Sequence, residues 1–279
     1  ACQPGLTNEG GTCKRLDASG NPMSCSGLGE PGVDSTVHAA ATTTGDPIRG
    51  FADLHAHPLA NLAFGGMVVW GEPFDQGGID AALPDCDFAC GIQAQNASGN
   101  RISANSFPLP PGVPVHGVLG INDLFGHART GTLGHDVSGY PEFTDWPNHP
   151  GVTHQQMYYK WLERAFLGGQ KLMVAHAVNN EILCEISPRQ NGFSCEDMPT
   201  VDRQIDAIKD LEVYIDTLNG GPGKGWFRIA YSAAEARSIM ESGRMAVILG
   251  IEVDGLLGCE EGAGCTEDDV LRELERYYA

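Results

Sequence analysis

The chain is short of positive charge. Lys and Arg number 17 against 36 Asp and Glu, a formal net charge of −19. A surface that acidic repels the phosphate backbone of nucleic acids and the anionic face of a membrane. Eighteen consecutive apolar residues occur nowhere, so no helical membrane span is expected. No GxxxxGK[ST] or GxGxxG run offers a phosphate cradle. A G-x-S-x-G elbow for serine hydrolysis is missing too. What remains open is a small neutral or cationic substrate.

The 279 residues allow one large domain or two small ones with a sizeable core. With 42% hydrophobic residues, the chain is too apolar for a disordered acidic solubiliser. The 37 Gly and 17 Pro argue against a long helical bundle and for many loops.

Six of the nine cysteines form close local pairs, Cys86/Cys90, Cys184/Cys195 and Cys259/Cys265. None has the two-residue spacing usual in structural zinc sites. Free thiols remain an alternative, but such pairs suit loop-stapling disulfides in an exported protein. Cys2 follows a small residue at the very start, as a lipid-bearing cysteine does after a bacterial lipoprotein signal. In that case Cys13 and Cys25 make a fourth disulfide; otherwise one thiol is left free. Asn96-Ala97-Ser98 is a sequon that matters only in a eukaryotic secretory route.

Residues 1–49 have no sustained period and read as an irregular arm. Gly50–His55 reads as the first strand, stopped by Pro58. Residues 58–150 read as a long functional insertion. Thr153 and Gln156 make a capping box for a helix with Met157, Tyr158, Trp161, Leu162, Ala165 and Phe166 as its stripe. Lys171–Ala177 reads as a buried strand. Val201 to Leu218 carries a clean helical stripe. Phe227–Tyr231 is extended, and Ser232 with Glu235 caps a helix to about Glu241. Met245–Ile251 is expected to be a parallel strand buried on both faces. Thr266 with Asp269 caps a last helix whose inner side is Val270, Leu271, Leu274 and Tyr278. This alternation predicts an α/β fold around a parallel sheet.

Asp53-Leu54-His55-Ala56-His57 closes the first strand. Residues two apart share a strand face, so His55 and His57 can aim two imidazoles at one point. Asp53 behind them could fix an imidazole tautomer. Glu252 ends the strongest strand, where a carboxylate is costly unless paired or ligating, or else simply starts a loop with Asp254. Active sites of parallel α/β folds lie at that end. His55, His57 and Glu252 are the candidate metal ligands, with Glu252 and Asp53 the candidate catalytic carboxylates. His176, at the end of the middle strand, and Asn179, Asn180 and Glu181, just beyond it, are candidate substrate contacts. Their alternatives are a hydrogen-bonded strand-end histidine and a helix start. His116, His127, His135, His149 and His154 show no site spacing.

FADLHAHP resembles the first barrel strand of the metal-dependent (amidohydrolase-type) hydrolase superfamily. The tract EARSIMESGRMAVILGIEVD, residues 235–254, resembles the membrane dipeptidase family more specifically. The resemblance implies a (β/α)8 barrel that hydrolyses dipeptides and related amides with two zinc ions, in an exported or membrane-anchored protein. It implies that Glu252 bridges the ions and that His55 and His57 stand where the first-strand ligands stand. Two departures are a second histidine in place of the family's aspartate, and Val253 in place of a glycine. The family's remaining ligands would fall beyond Glu252, after which only residues 253–279 follow, none of them histidine. The expectation is therefore a partial barrel, its first three or four β/α units at 50–279, with a C-terminal continuation. The alternative is a secreted, non-catalytic binding or structural protein built on that partial barrel.

Overall fold

The structure is a computed structural model that describes residues 6–9, 12–15, 45, 47–66, 69, 71–83, 156–186, 189–259 and 264–278. The chain divides into two compact units, residues 1–37 with 66–167 and residues 38–65 with 168–279. Cys2, Cys25, Cys86, Cys90, Asn96 and the five histidines from 116 to 154 lie outside the described residues. So do the pairings expected for Cys13 and for Cys86, and most of the insertion.

In the first unit, β1 (Leu6–Glu9) and β2 (Thr12–Arg15) pair antiparallel. Helix α1 is Ile79–Ala82 and α2 is Tyr159–Leu167. The sequence placed the start of α2 earlier. Gln156 to Tyr158 are non-helical, and the N–H of Tyr159 donates to the Pro73 carbonyl at 2.7 Å, satisfying a helix-end donor. Tyr158, Tyr159 and Leu162 are buried, whereas Met157, expected in the stripe, is exposed.

The second unit is built on four strands, β3 (Phe51–Ala56), β4 (Gln170–Val178), β5 (Phe227–Ile229) and β6 (Met245–Glu252). All pair parallel in the order β3-β4-β6-β5. This is an α/β sheet in which β6 is inserted between β4 and β5. Gly169, at φ 108°, turns the chain into β4, and its carbonyl accepts the Phe51 N–H.

Strand parity sorts the core. Met173, Ala175 and Ala177 face one side, and Ala177 packs with Met198 and Val201 of α4 (Asp197–Leu218). Leu172 and Ala246 face the other and meet Ala236, Ile239 and Met240 of α5 (Ala233–Glu241). A short helix α3 (Glu181–Ile186) follows β4. Burial along β6 is uneven. Met245, Ala246 and Val247 are fully buried, but Ile248 to Ile251 are half-buried and Glu252 is exposed. That corrects the expectation of burial on both faces up to Ile251. On the edge strand β3, Phe51 and Leu54 are exposed.

The α5 cap forms as the sequence implied. Ser232 Oγ accepts the Glu235 N–H, and the Glu235 carboxylate reaches back one residue further, to the Tyr231 N–H. Thr266 and Asp269 make a reciprocal box for α6 (Glu267–Tyr278). The inward face of α6 differs from the sequence reading: Leu271, Leu274 and Tyr278 are exposed. Tyr277 packs inward instead, because its hydroxyl and Arg276 both bond Asp202 and set the rotation of the helix.

Cys184–Cys195 and Cys259–Cys265 are disulfide pairs, both in the second unit and both compatible with an extracellular protein. Among the described residues, no helix is long and apolar enough to cross a membrane.

Asp216 fastens the end of α4 to β5. Its carboxylate accepts the N–H groups of Gly223 and Gly225, each at 2.7 Å, and pairs with Arg228. Burial pushes its pKa up, but the two backbone donors and Arg228 outweigh that, and the net shift is downward. A carboxyl depressed in the fold stabilises above its unfolded value of about 3.9, and that contribution is lost as pH falls through the folded value. Asp216→Asn should cost about 3 kcal/mol near neutral pH, with the deficit shrinking below about pH 4, in denaturant melts across pH.

Candidate metal centre

Parallel strands bring their C-terminal ends to one edge, and the β4–β6 register sets His176 opposite Gly250 and Val178 opposite Glu252. Strand β3 shifts register between Asp53 and Ala56. Such an irregularity re-aims side chains at a strand end. The result brings together the three expected ligands. His55 Nε2 lies 2.6 Å from Glu252 Oε2 and 3.1 Å from His57 Nε2, and His57 Nε2 lies 3.5 Å from the same oxygen.

The tautomer of His57 follows from its other nitrogen. Nδ1 faces the His176 carbonyl at 3.4 Å, and only an N–H can bond there. The Nε2 lone pair is thereby turned toward Glu252 and His55. Burial holds the His57 pKa below its ordinary value against the pull of Glu252, while His55 and His176 push the same way as burial. That direction favours the neutral form, the one that ligates. The His55 side chain is 61% exposed and that of Glu252 47%, so solvent reaches the cluster from one side.

These residues fit a divalent ion. Zinc–nitrogen bonds of about 2.0–2.1 Å in tetrahedral geometry place ligand atoms about 3.3 Å apart. The three separations here, 2.6, 3.1 and 3.5 Å, bracket that value. Ligand atoms of His55, His176 and Glu252 also lie within 4.8 Å of one another, a group able to hold a metal ion.

The other candidates are placed differently. Asp53 does not reach an imidazole: its Oδ1 accepts the backbone N–H of His55 and steadies the strand end. The tautomer-setting acceptor is the His176 carbonyl. Asn180 starts α3, accepting the Leu183 N–H, and donates to Asp254 at 2.6 Å, so its helix-start role is the one on view.

Two buried polar residues brace this edge: Gln204 escaped the sequence reading, and Asn179 was expected as a substrate contact or a helix start. Gln204 of α4 donates to the Val178 carbonyl at 2.8 Å and accepts the Val178 N–H at 3.1 Å, holding β4 where it meets Glu252. Asn179 accepts the Phe64 N–H and donates to Asp197 and to the Cys195 carbonyl. Asp197 in turn accepts the Gly255 N–H. Phe64 and Leu257 sit in these same loops at positive φ, 52° and 58°, where bulky residues are strained. The only sequence signal was a Gln on the apolar side of the α4 stripe and an Asn directly after a buried strand. Beside this rim, Glu181, Asp197, Met198, Gly255, Leu257 and Asp269 line an open cavity of about 510 Å3.

No family model matches the chain, and no curated protein or solved structure matches it either.

Gln204→Leu leaves the N–H and C=O of Val178 unpaired. It should cost about 2–4 kcal/mol in a urea melt, from two orphaned buried groups at about 1–3 kcal/mol each.

Proposed function

We propose that this protein is a metal-dependent hydrolase of amide or peptide-like bonds, dipeptidase-like in substrate class. The observation that carries the reading is the meeting of His55, His57 and Glu252 within 2.6–3.5 Å at the C-terminal edge of a parallel sheet. Zinc suits two neutral imidazoles and a carboxylate. When bound, the ion would polarise a carbonyl and lower the pKa of a water. His55 and His57 would hold it through Nε2, with His57 oriented by the His176 carbonyl. Glu252 Oε2 lies close to both imidazoles, and in a binuclear centre the Glu252 carboxylate would be the bridge. The exposed side of His55 and the neighbouring acidic cavity give a small neutral or cationic substrate access.

The finer architecture in this reading is a partial (β/α)8 barrel. The parallel pairing of β3, β4 and β6 supports it, while the placement of β6 between β4 and β5 departs from the sequential strand order of such a barrel. The disulfides support a secreted or cell-envelope location.

The test is metal analysis of the purified chain with hydrolysis assays on dipeptides and lactones. Glu252→Gln keeps the shape and removes the charge. It should lose at least one metal equivalent and nearly all turnover, while circular dichroism is unchanged. A variant that keeps its metal and its turnover would refute the bridging role. Stoichiometric metal in the wild-type chain without turnover would instead favour the non-catalytic binding reading.

A further inference from the structure

The geometry points to His176 as a further metal ligand, so that three neighbouring strands of this chain supply a self-contained site of three imidazoles and one carboxylate. The inference rests on the metal-centre reading above and extends it to a residue expected only to touch substrate.

Three observations carry it. A ring nitrogen of His176, one oxygen of Glu252 and one nitrogen of His55 lie within 4.8 Å of one another, and the His55 and His176 rings are 4.8 Å apart. An ion with bonds of about 2 Å spans such a group after a small closing movement. Second, Nδ1 of His176 is buried with no hydrogen-bond partner among the described residues. A buried polar atom left unpaired is costly, and a strand end beside two other imidazoles is where a metal bond would relieve it. Third, the sequence makes room for this ring. Gly250 stands opposite His176 in the ladder, and a Cβ there would lie 2.6 Å from the imidazole Cδ2 and 2.9 Å from Nε2. Glycine inside a strand weakens it and marks a close approach. Here the approaching group is the imidazole, laid across β6 toward Glu252. The backbone of His176 already serves the site through its carbonyl on His57 Nδ1, so main chain and side chain of one residue act on the same centre.

Zinc affinity of the full chain, measured by competition with a chromogenic chelator, and the visible absorption of the Co(II)-loaded chain test this without reference to activity. His176→Ala should weaken zinc by about 100-fold or more, beyond the 10–100-fold typical of losing an outer-shell partner. Its Co(II) band should shift and change intensity. Gly250→Ala keeps the imidazole but pushes it aside, and should weaken zinc by roughly 10-fold. This second variant decides the matter if His176→Ala fails to fold, as judged by circular dichroism. Wild-type affinity and an unchanged Co(II) spectrum in the folded variants would overturn the role of His176 while leaving the centre of His55, His57 and Glu252 intact. A folded wild-type chain that takes up no metal would overturn both.

Discussion

The parallel ladder between β4 and β6 is the constraint on which the second unit depends. Seven residues of each strand pair without a break, from Leu172 with Ala246 to Val178 with Glu252. The ladder fixes the height of Glu252 relative to His176 and gives β3 an edge on which to lay His55 and His57. A one-residue slip of β4 would turn His176 to the α4 side and Ala177 toward the site. Gln204 resists that slip from the outside by bonding both backbone groups of Val178, and the Asn179 N–H adds a bond to the Glu252 carbonyl.

At the edge so formed, the charge arithmetic becomes local. Two imidazoles crowd one carboxylate within 2.6–3.5 Å. Burial works against His57 taking a proton there. In the reading proposed above, a divalent cation would satisfy such a set.

Much of this was legible in the residues. Strand β4 and helix α4 announced themselves by continuous and 3.6-periodic apolar residues, and the caps at Ser232 and Thr266 formed as expected. His55, His57 and Glu252 stood out because a charged or ligating group directly after an apolar strand loses hydration there and needs a partner in return. What stayed hidden is non-local. Asp53 reads as a partner for imidazole until the bend in β3 turns it onto the His55 N–H. Asn180 is a plausible substrate contact until its pairing with Asp254, far along the chain, is known. The inward turn of Tyr277 depends on Asp202 across a helix interface, which no periodicity encodes. The insertion of β6 between β4 and β5 is likewise a matter of pairing, and the apolar run of β6 is the same in either order.

The buried Asn179–Asp197 pair has one more consequence. It receives the amide of Phe64 from the loop after β3 and the amide of Gly255 from the loop after β6, and it binds the Cys195 carbonyl beside a disulfide. Segments far apart in sequence therefore hang on a single two-residue joint. Releasing either amide means breaking into that joint, so the loops framing the site open together as one cooperative unit. In deuterated solvent the amides of Phe64 and Gly255 would exchange at a common rate, set by the joint and not by the loop each belongs to.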